Sequence, residues 1–150
     1  MPQEYIHRGL RFMYPDGWEL DHSDMLAGKS SVAVYSPGGA FWSVSVHPRD
    51  ADPQRLAESV LKTMELEYDT VDSESQTVSL GGRKLVGYEM NFFFLDLVCT
   101  ATIRCVQTEK ATYAFFCQGE DREFQAQAKV FDAITTSFLS HVKKLSYWDD

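Results

Sequence analysis

Three cysteines, Cys99, Cys105 and Cys117, are the strongest candidate nucleophiles in this 150-residue sequence. A cysteine becomes reactive when a base or a positive charge stabilises its thiolate. Arg104 and Gln118 adjoin two of them, but neighbouring residues of a strand point to opposite faces of a sheet. Cys99 and Cys105 would lie about 20 Å apart on one extended strand, too far for a disulfide. The pattern predicts buried, inert thiols in a reducing compartment.

Four histidines are the other candidates for acid–base or metal chemistry, and they are widely spaced: His7, His22, His47 and His141. A zinc site needs converging ligands, as in His-x-His or His-Glu-x-x-His, and neither pattern occurs. His47 and Asp50 could meet after a predicted strand, although a strand end followed by a loop is the favoured interpretation. Motifs of serine hydrolases and nucleotide-binding loops are also missing from the sequence. The sequence therefore predicts no catalytic residue, no metal and no cofactor.

Composition and charge argue against several classes of partner. The chain carries a net charge of −8, whereas a domain that binds nucleic acid usually presents a basic stripe. The first residues lack the basic and apolar regions of a signal peptide, and no run approaches the ~18 apolar residues of a membrane span. We expect a cytoplasmic protein that neither binds nucleic acid nor inserts into a membrane.

Alternating apolar and polar residues, separated by turn residues, predict seven strands. Turns are marked by Pro15-Asp16-Gly17, Gly38-Gly39 and Gly81-Gly82, and Trp18 and Leu20 continue in an extended segment. A further reversal must fall near residues 95–97, where the turn chemistry is weak. The predicted strands lie at residues 10–14, 31–35, 41–46, 70–80, 85–95, 98–106 and 111–117.

Two helices are predicted from apolar residues that recur with helical spacing. Asp52 and Pro53 suit the N-cap and the first turn of the first helix. Acidic residues near the start of the second helix favour its dipole. The apolar stripes are Leu56, Val60, Met64 and Tyr68 in the first helix, and Phe124, Ala128, Phe131, Thr135, Phe138 and Val142 in the second.

The resulting element order is βββαββββα. Strands joined by tight turns are antiparallel, so the order predicts an α+β fold in which two helices pack on an antiparallel sheet of about six to seven strands. The length and the lack of a visible linker predict a single domain over residues 1–140, followed by a short tail over residues 141–150.

Four features of this sequence resemble the superfamily of PsbP-like and Mog-like proteins. They are Tyr14-Pro15-Asp16-Gly17-Trp18, the helix predicted after the third strand, Leu80-Gly81-Gly82-Arg83 before the long strands, and the closing helix from Phe124 through Phe138. The likeness extends over roughly residues 8–140 and is nearest to the bacterial DcrB-like domains. These motifs mark turns and element ends rather than chemistry.

The resemblance implies an α/β/α sandwich around an antiparallel sheet, generally without catalytic residues. Members of the superfamily act by binding. They include a photosystem subunit, a partner of a nuclear-transport GTPase and the Eag chaperones of type VI secretion, which shelter transmembrane segments of effectors. No binding residue can be carried over to this chain, because no member's contact motif is recognisable in it, and a fold alone does not determine function.

The most unusual local feature is the run Phe92-Phe93-Phe94 with Leu95 in a predicted strand. Strand alternation places Phe92 and Phe94 on one face, which Tyr88 and Met90 continue, and Phe93 and Leu95 on the other. If a helix covers each face, the strand is buried on both sides. Otherwise one face is open and forms an aromatic patch, joined by Trp42, of the kind that binds a protein or a ligand.

Acidic residues are concentrated after the first helical stripe, with Glu65, Glu67, Asp69, Asp72 and Glu74 within ten residues and no base among them. Negative charge at a helix C-terminus opposes the helix dipole. A solvated helix end is the favoured explanation. The alternative is a docking face for a basic partner, in which Glu65, Glu67 and Asp69 take part.

Three functions remain open from the sequence. The first is a non-enzymatic module that binds a protein or peptide, as an adaptor or chaperone, with a homodimer as one form. The second is a binder of a small apolar ligand or lipid in a cavity between sheet and helix. The third and least favoured is an enzyme built on a cysteine or histidine.

Overall fold

The computed structural model describes residues 1–142. The predicted tail falls almost entirely on residues 143–150, outside the described residues, so its boundary stays a prediction. The strands of the described part are β1 (Gln3–His7), β2 (Leu10–Tyr14), β3 (Glu19–Asp21), β4 (Ser31–Tyr35), β5 (Phe41–His47), β6 (Val71–Leu80), β7 (Arg83–Phe94), β8 (Leu97–Gln107) and β9 (Thr112–Glu120). The helices are α1 (Ser23–Leu26), α2 (Pro53–Glu67) and α3 (Asp121–Ser140).

Seven strands form one antiparallel sheet in the order β3-β4-β5-β9-β8-β7-β6. The predicted α+β class is therefore confirmed. The polar strand β6 lies at one edge of this sheet, where solvated side chains are tolerated. The short strand β3, which the sequence shows only as an extended segment, forms the other edge.

A separate hairpin of β1 and β2 is the main departure from the predicted topology. Strand β2 pairs with β1 and belongs to a two-stranded sheet, instead of opening the large one. Their turn is Arg8-Gly9, with both residues at positive φ. Strand β1 was not predicted because Tyr5 is its one buried residue, which leaves little alternation to detect. The single-turn helix α1 likewise buries only Met25.

The two long helices cover opposite faces of the sheet. The apolar stripe of α2 packs with β7 and β8 in one core cluster. Helix α3 and the β1–β2 hairpin pack on the other face, around β4, β5 and β9. Asp52 caps α2, since its Oδ2 accepts a hydrogen bond of 2.9 Å from the backbone N–H of Arg55. The outcome is a three-layer sandwich.

Candidate functional site

The hairpin of β7 and β8 extends beyond the strands that flank it. Pairing between β6 and β7 ends at Phe92, and pairing between β8 and β9 ends at Cys99. Two further residue pairs, Phe93 with Val98 and Phe94 with Leu97, continue the hairpin past the sheet. No strand lies beside these two pairs, so their side chains have fewer neighbouring side chains to cover them than those in the rest of the sheet.

Five apolar side chains are exposed on this extension, which we call the apolar tip. Their exposed fractions range from 45% to 79%. Soluble monomers rarely keep so many apolar side chains together in solvent, and contiguous patches of this kind commonly mark interaction sites. The tip consists of Phe93 (68%), Phe94 (51%), Leu95 (79%), Leu97 (52%) and Val98 (45%).

The turn at the apex of the tip is strained. Leu95 and Asp96 occupy its two central positions with φ values of 49° and 63°. Two-residue hairpins of this kind favour Asn-Gly, because a side chain such as leucine is disfavoured at positive φ. A non-glycine residue held there costs of order 1–3 kcal/mol. The chain thus keeps a large apolar side chain at the most exposed point of the hairpin at the expense of stability.

Tyr68, the residue that ends α2, supports the base of the tip. Its ring packs on Phe92 with centroids 4.2 Å apart and meets Phe94 edge-on at 6.0 Å. Aromatic pairs at such distances are favourable beyond their buried area. This contact fixes the direction of the hairpin relative to α2.

Exposed acidic residues lie at and just after the end of α2, at the start of β6 and in the turn of the tip, and we call them the acidic rim. Glu67 and Asp69 flank Tyr68 in sequence, and Asp72 lines a cavity of about 170 Å³ together with Phe93 and Val98. None of the three ion pairs within residues 1–142 involves a rim residue. The rim comprises Glu65, Glu67, Asp69, Asp72 and Asp96, all of them exposed.

Trp42 is not on the surface, so its predicted place in an aromatic patch is wrong. The side chain is fully buried, and its Nε1 donates a hydrogen bond of 2.9 Å to Thr135 Oγ1. Its ring packs against Phe12 and Phe115 at centroid distances of 4.8 and 5.9 Å. Strand alternation places Trp42 on the face that α3 and the β1–β2 hairpin cover.

The predicted aromatic run divides into a buried part and an exposed part. Phe92 is 2% exposed beneath Tyr68, which removes it from the candidate surface. Tyr88 is half-buried further along β7, and its hydroxyl accepts a hydrogen bond of 2.9 Å from Gln54. Phe93 and Phe94 do lie together on the tip. A binding role for them, and for Glu65, Glu67 and Asp69 beside them, stays a prediction.

Leu97 and Val98 were not predicted as parts of the surface, and Leu95 was predicted only as part of the aromatic run. The strand pattern placed Leu95 inside a strand, although the expected reversal near it is confirmed. The available signal was an apolar run on both sides of a turn that contains no glycine.

The three cysteines lie in the core rather than in a reactive cleft. All are buried, and burial raises the pKa of the Cys105 and Cys117 thiols to about 12. Burial also raises the pKa of Cys99. At pH 8 a thiol with a pKa of about 12, as in Cys105 and Cys117, is ionised in only about one molecule in ten thousand. Within residues 1–142, no three His, Cys, Asp or Glu side chains are grouped to hold a metal ion.

We expect a thiol reagent such as Ellman's reagent to leave all three cysteines unmodified in the folded protein at pH 8. In denaturant, all three should react at the rate of an ordinary exposed thiol. The absorbance of released thionitrobenzoate measures both rates. A cysteine that reacts in the folded chain as fast as in the denatured chain would show an activated thiol instead.

Comparison with known proteins relates this structure to others through its fold. No family model matches the sequence, and no curated protein matches it. A crystal structure from Bacteroides thetaiotaomicron gives a TM-score of 0.63 at 15% identity, over 90% of this chain and 47% of the other. This chain therefore spans about half the length of that protein. Within residues 1–142, none of the helices combines the length and apolar character that a membrane span requires.

Two further structures match over nearly their whole length. The solution structure of cyanobacterial PsbP (CyanoP) from Synechocystis sp. PCC 6803 has a TM-score of 0.57 at 15% identity, over 91% of this chain and 90% of the other. The Ran-binding protein Mog1p of Saccharomyces cerevisiae has a TM-score of 0.54 at 10% identity, over 94% and 92%. The narrower likeness to DcrB-like domains stays a prediction. The chain has the α+β sandwich fold that PsbP-like and Mog-like proteins share.

Proposed function

We propose that this chain is a non-enzymatic protein-binding module whose apolar tip and acidic rim dock a partner segment that is both apolar and basic. The observation that carries the proposal is the hairpin extension, which exposes five apolar side chains around a strained turn. Interfaces characteristically place aromatic and apolar groups at the centre and charged groups at the margin. The tip and its rim have this arrangement.

The charge of the rim defines the partner's chemistry. The rim supplies five exposed carboxylates in a chain whose net charge is −8. Such a field attracts lysine and arginine side chains and raises the rate of encounter with a basic segment. The same field repels the anionic surface of a cytoplasmic membrane leaflet. It also disfavours a homodimer formed by two tips, since the two rims would meet.

The comparison with Mog1p supports a protein partner in a limited way. That yeast protein is described as Ran-binding, and its fold is shared by this chain at 10% identity. A shared fold does not transfer a partner or a binding surface. It supports the proposal only in that this sandwich can serve as a scaffold for protein recognition.

Site-directed photocrosslinking tests where the partner docks. A photoreactive amino acid at Leu95 should crosslink a protein in the native cells, and the crosslinked segment should be rich in apolar and basic residues. The matched control is Leu26, a leucine that is 65% exposed. It is the last residue of α1, which follows β3 at the end of the sheet opposite the tip. Equal crosslinking of the same protein from both positions would contradict docking at the tip.

A second candidate function is the binding of a small apolar ligand. A groove of about 430 Å³ between β2 and α3 is lined mainly by apolar residues, among them Met13, Val130 and Ile134. The cavity between the large sheet and α3 is only about 90 Å³ and contains Glu89, Arg104 and Asp132. A lipid that copurifies and protects the groove, rather than the tip, from hydrogen exchange would favour this candidate.

A further inference from the structure

A pocket of about 350 Å³ lies at the end of the sandwich opposite the apolar tip. Three separate connections form it: the β1–β2 turn, the loop between α1 and β4, and the β8–β9 turn. Strand β8 begins in the tip and runs for 11 residues toward the β8–β9 turn. The pocket and the tip are therefore separated by the length of this strand.

Each of the three connections contributes one exposed cation to the pocket. They are Arg8, Lys29 and Lys110, and the pocket residues within 1–142 include no carboxylate. None of the three ion pairs in that part of the chain uses any of these cations. The whole sequence has 22 acidic and 14 basic residues, so the pocket reverses the prevailing charge locally. Its potential attracts an anion.

The floor of the pocket is apolar and belongs to the core. Leu10, Met25, Ala111 and Tyr113 line it, and all four are buried members of the cluster beneath α3. Burial raises the pKa of Tyr113, so its phenol stays protonated and can donate a hydrogen bond. Sites for small molecules combine such a floor with a few converging polar groups, in volumes of about 300–1,000 Å³.

The backbone holds all three cations at the pocket without a ligand. The N–H of Lys29 donates a hydrogen bond of 2.8 Å to the Asp24 carbonyl, and the N–H of Lys110 donates one of 3.2 Å to Thr108 Oγ1. Arg8 stands in the two-residue β1–β2 turn with a φ of 49°, where glycine or asparagine would be less strained. The strained turn thus keeps a guanidinium beside the pocket.

We infer that this pocket binds a small organic phosphate monoester, whose phosphate contacts Arg8, Lys29 and Lys110 while an apolar portion covers the floor. A phosphate monoester carries nearly two negative charges and three terminal oxygens, which suits three cations better than the single charge of a carboxylate does. A large polyanion is disfavoured, because the chain as a whole carries a net charge of −8. The inference is independent of the proposed function.

Titration of the full chain with phenyl phosphate, followed through its backbone amide signals, tests the pocket. We expect saturable shifts at residues 8–10, 29–30 and 110–113. Inorganic phosphate should bind at least about tenfold more weakly, because it leaves the apolar floor uncovered. Benzoate should also bind more weakly, because it carries one charge. Benzyl alcohol has the ring without the anion and should not bind in the pocket.

Variants of the three cations assign the contacts. Lys29→Gln and Lys110→Gln should each weaken the binding of phenyl phosphate about three- to tenfold, through loss of a charged hydrogen bond. Arg8→Asn should weaken it at least about tenfold, while stability stays equal or rises, because asparagine tolerates positive φ. Lys62→Gln, which removes an exposed lysine of α2 outside the pocket, is the matched control and should bind as the original chain does.

Several results would overturn the inference. Shifts that do not saturate, or that fall outside the pocket, would exclude a site there. Equal affinity for inorganic phosphate would remove the role of the floor, and tighter binding of benzoate would remove the preference for phosphate. An equal loss in Lys62→Gln would show unspecific attraction. Cosedimentation of the original chain with phosphatidylglycerol vesicles that Arg8→Asn abolishes would show a membrane contact instead of a small-ligand site.

Discussion

Replacing Trp42 with alanine is expected to lower the free energy of unfolding by about 3–5 kcal/mol, as truncation of a buried tryptophan typically does. The side chain is fully buried between Phe12 and Phe115, and it joins β5 to α3 through its bond to Thr135. Truncation leaves a cavity that the sheet and the helix cannot close. Equilibrium unfolding in urea, followed by circular dichroism, measures the change.

Two further variants of Trp42 separate the contribution of packing from that of the hydrogen bond and from the effect of a buried charge. Trp42→Phe keeps most of the apolar contact and loses the hydrogen bond, so we expect a smaller loss than for alanine. Trp42→Asp places a charge in the core and should prevent folding. A Trp42→Asp chain that folds with the original stability would contradict the buried position.

Local signals explain why much of the fold could be predicted from sequence. The start of α2 was readable because the Asp52 cap and Pro53 act within one turn. The stripe of α3 was readable because its buried residues, such as Phe131 and Phe138, recur at helical spacing. The β1–β2 hairpin could not be predicted, because the sequence pattern of β2 is that of an ordinary strand whichever sheet it joins.

The candidate site could be predicted only in part, because exposure at the tip is a matter of strand length. Alternation assigns Phe92 and Phe94 to the same face, yet one is 2% exposed and the other 51%. The difference arises because the partners of β7 and β8 stop at Phe92 and Cys99. Where the neighbouring strands end depends on pairing between segments that are distant in sequence, and no local sequence pattern indicates that point.

The double variant Phe93→Ser with Leu95→Asn is expected to weaken partner binding at least about 30-fold, the effect of losing a central contact worth about 2 kcal/mol or more. Its stability should stay equal or rise by up to about 1 kcal/mol, because asparagine tolerates the positive φ that strains Leu95. Fluorescence anisotropy with the crosslinked partner segment measures binding, and urea unfolding measures stability.

A loss of affinity without a loss of stability would distinguish a binding surface from a structural one. Leu26→Ser is the control, since it removes an exposed leucine remote from the tip and should leave binding unchanged. Added salt should weaken binding of the original chain, because the rim contributes through long-range charge. Unchanged affinity of the double variant, or an equal loss in Leu26→Ser, would exclude the tip.

The most direct test is to follow backbone amide signals by nuclear magnetic resonance while the partner segment is added. Docking at the tip predicts that the largest shifts fall on residues 93–98 and 65–72, while the amide signals around Leu26 and the β1–β2 turn stay unchanged. Shifts concentrated anywhere else on the sandwich, with the β7–β8 turn undisturbed, would contradict it.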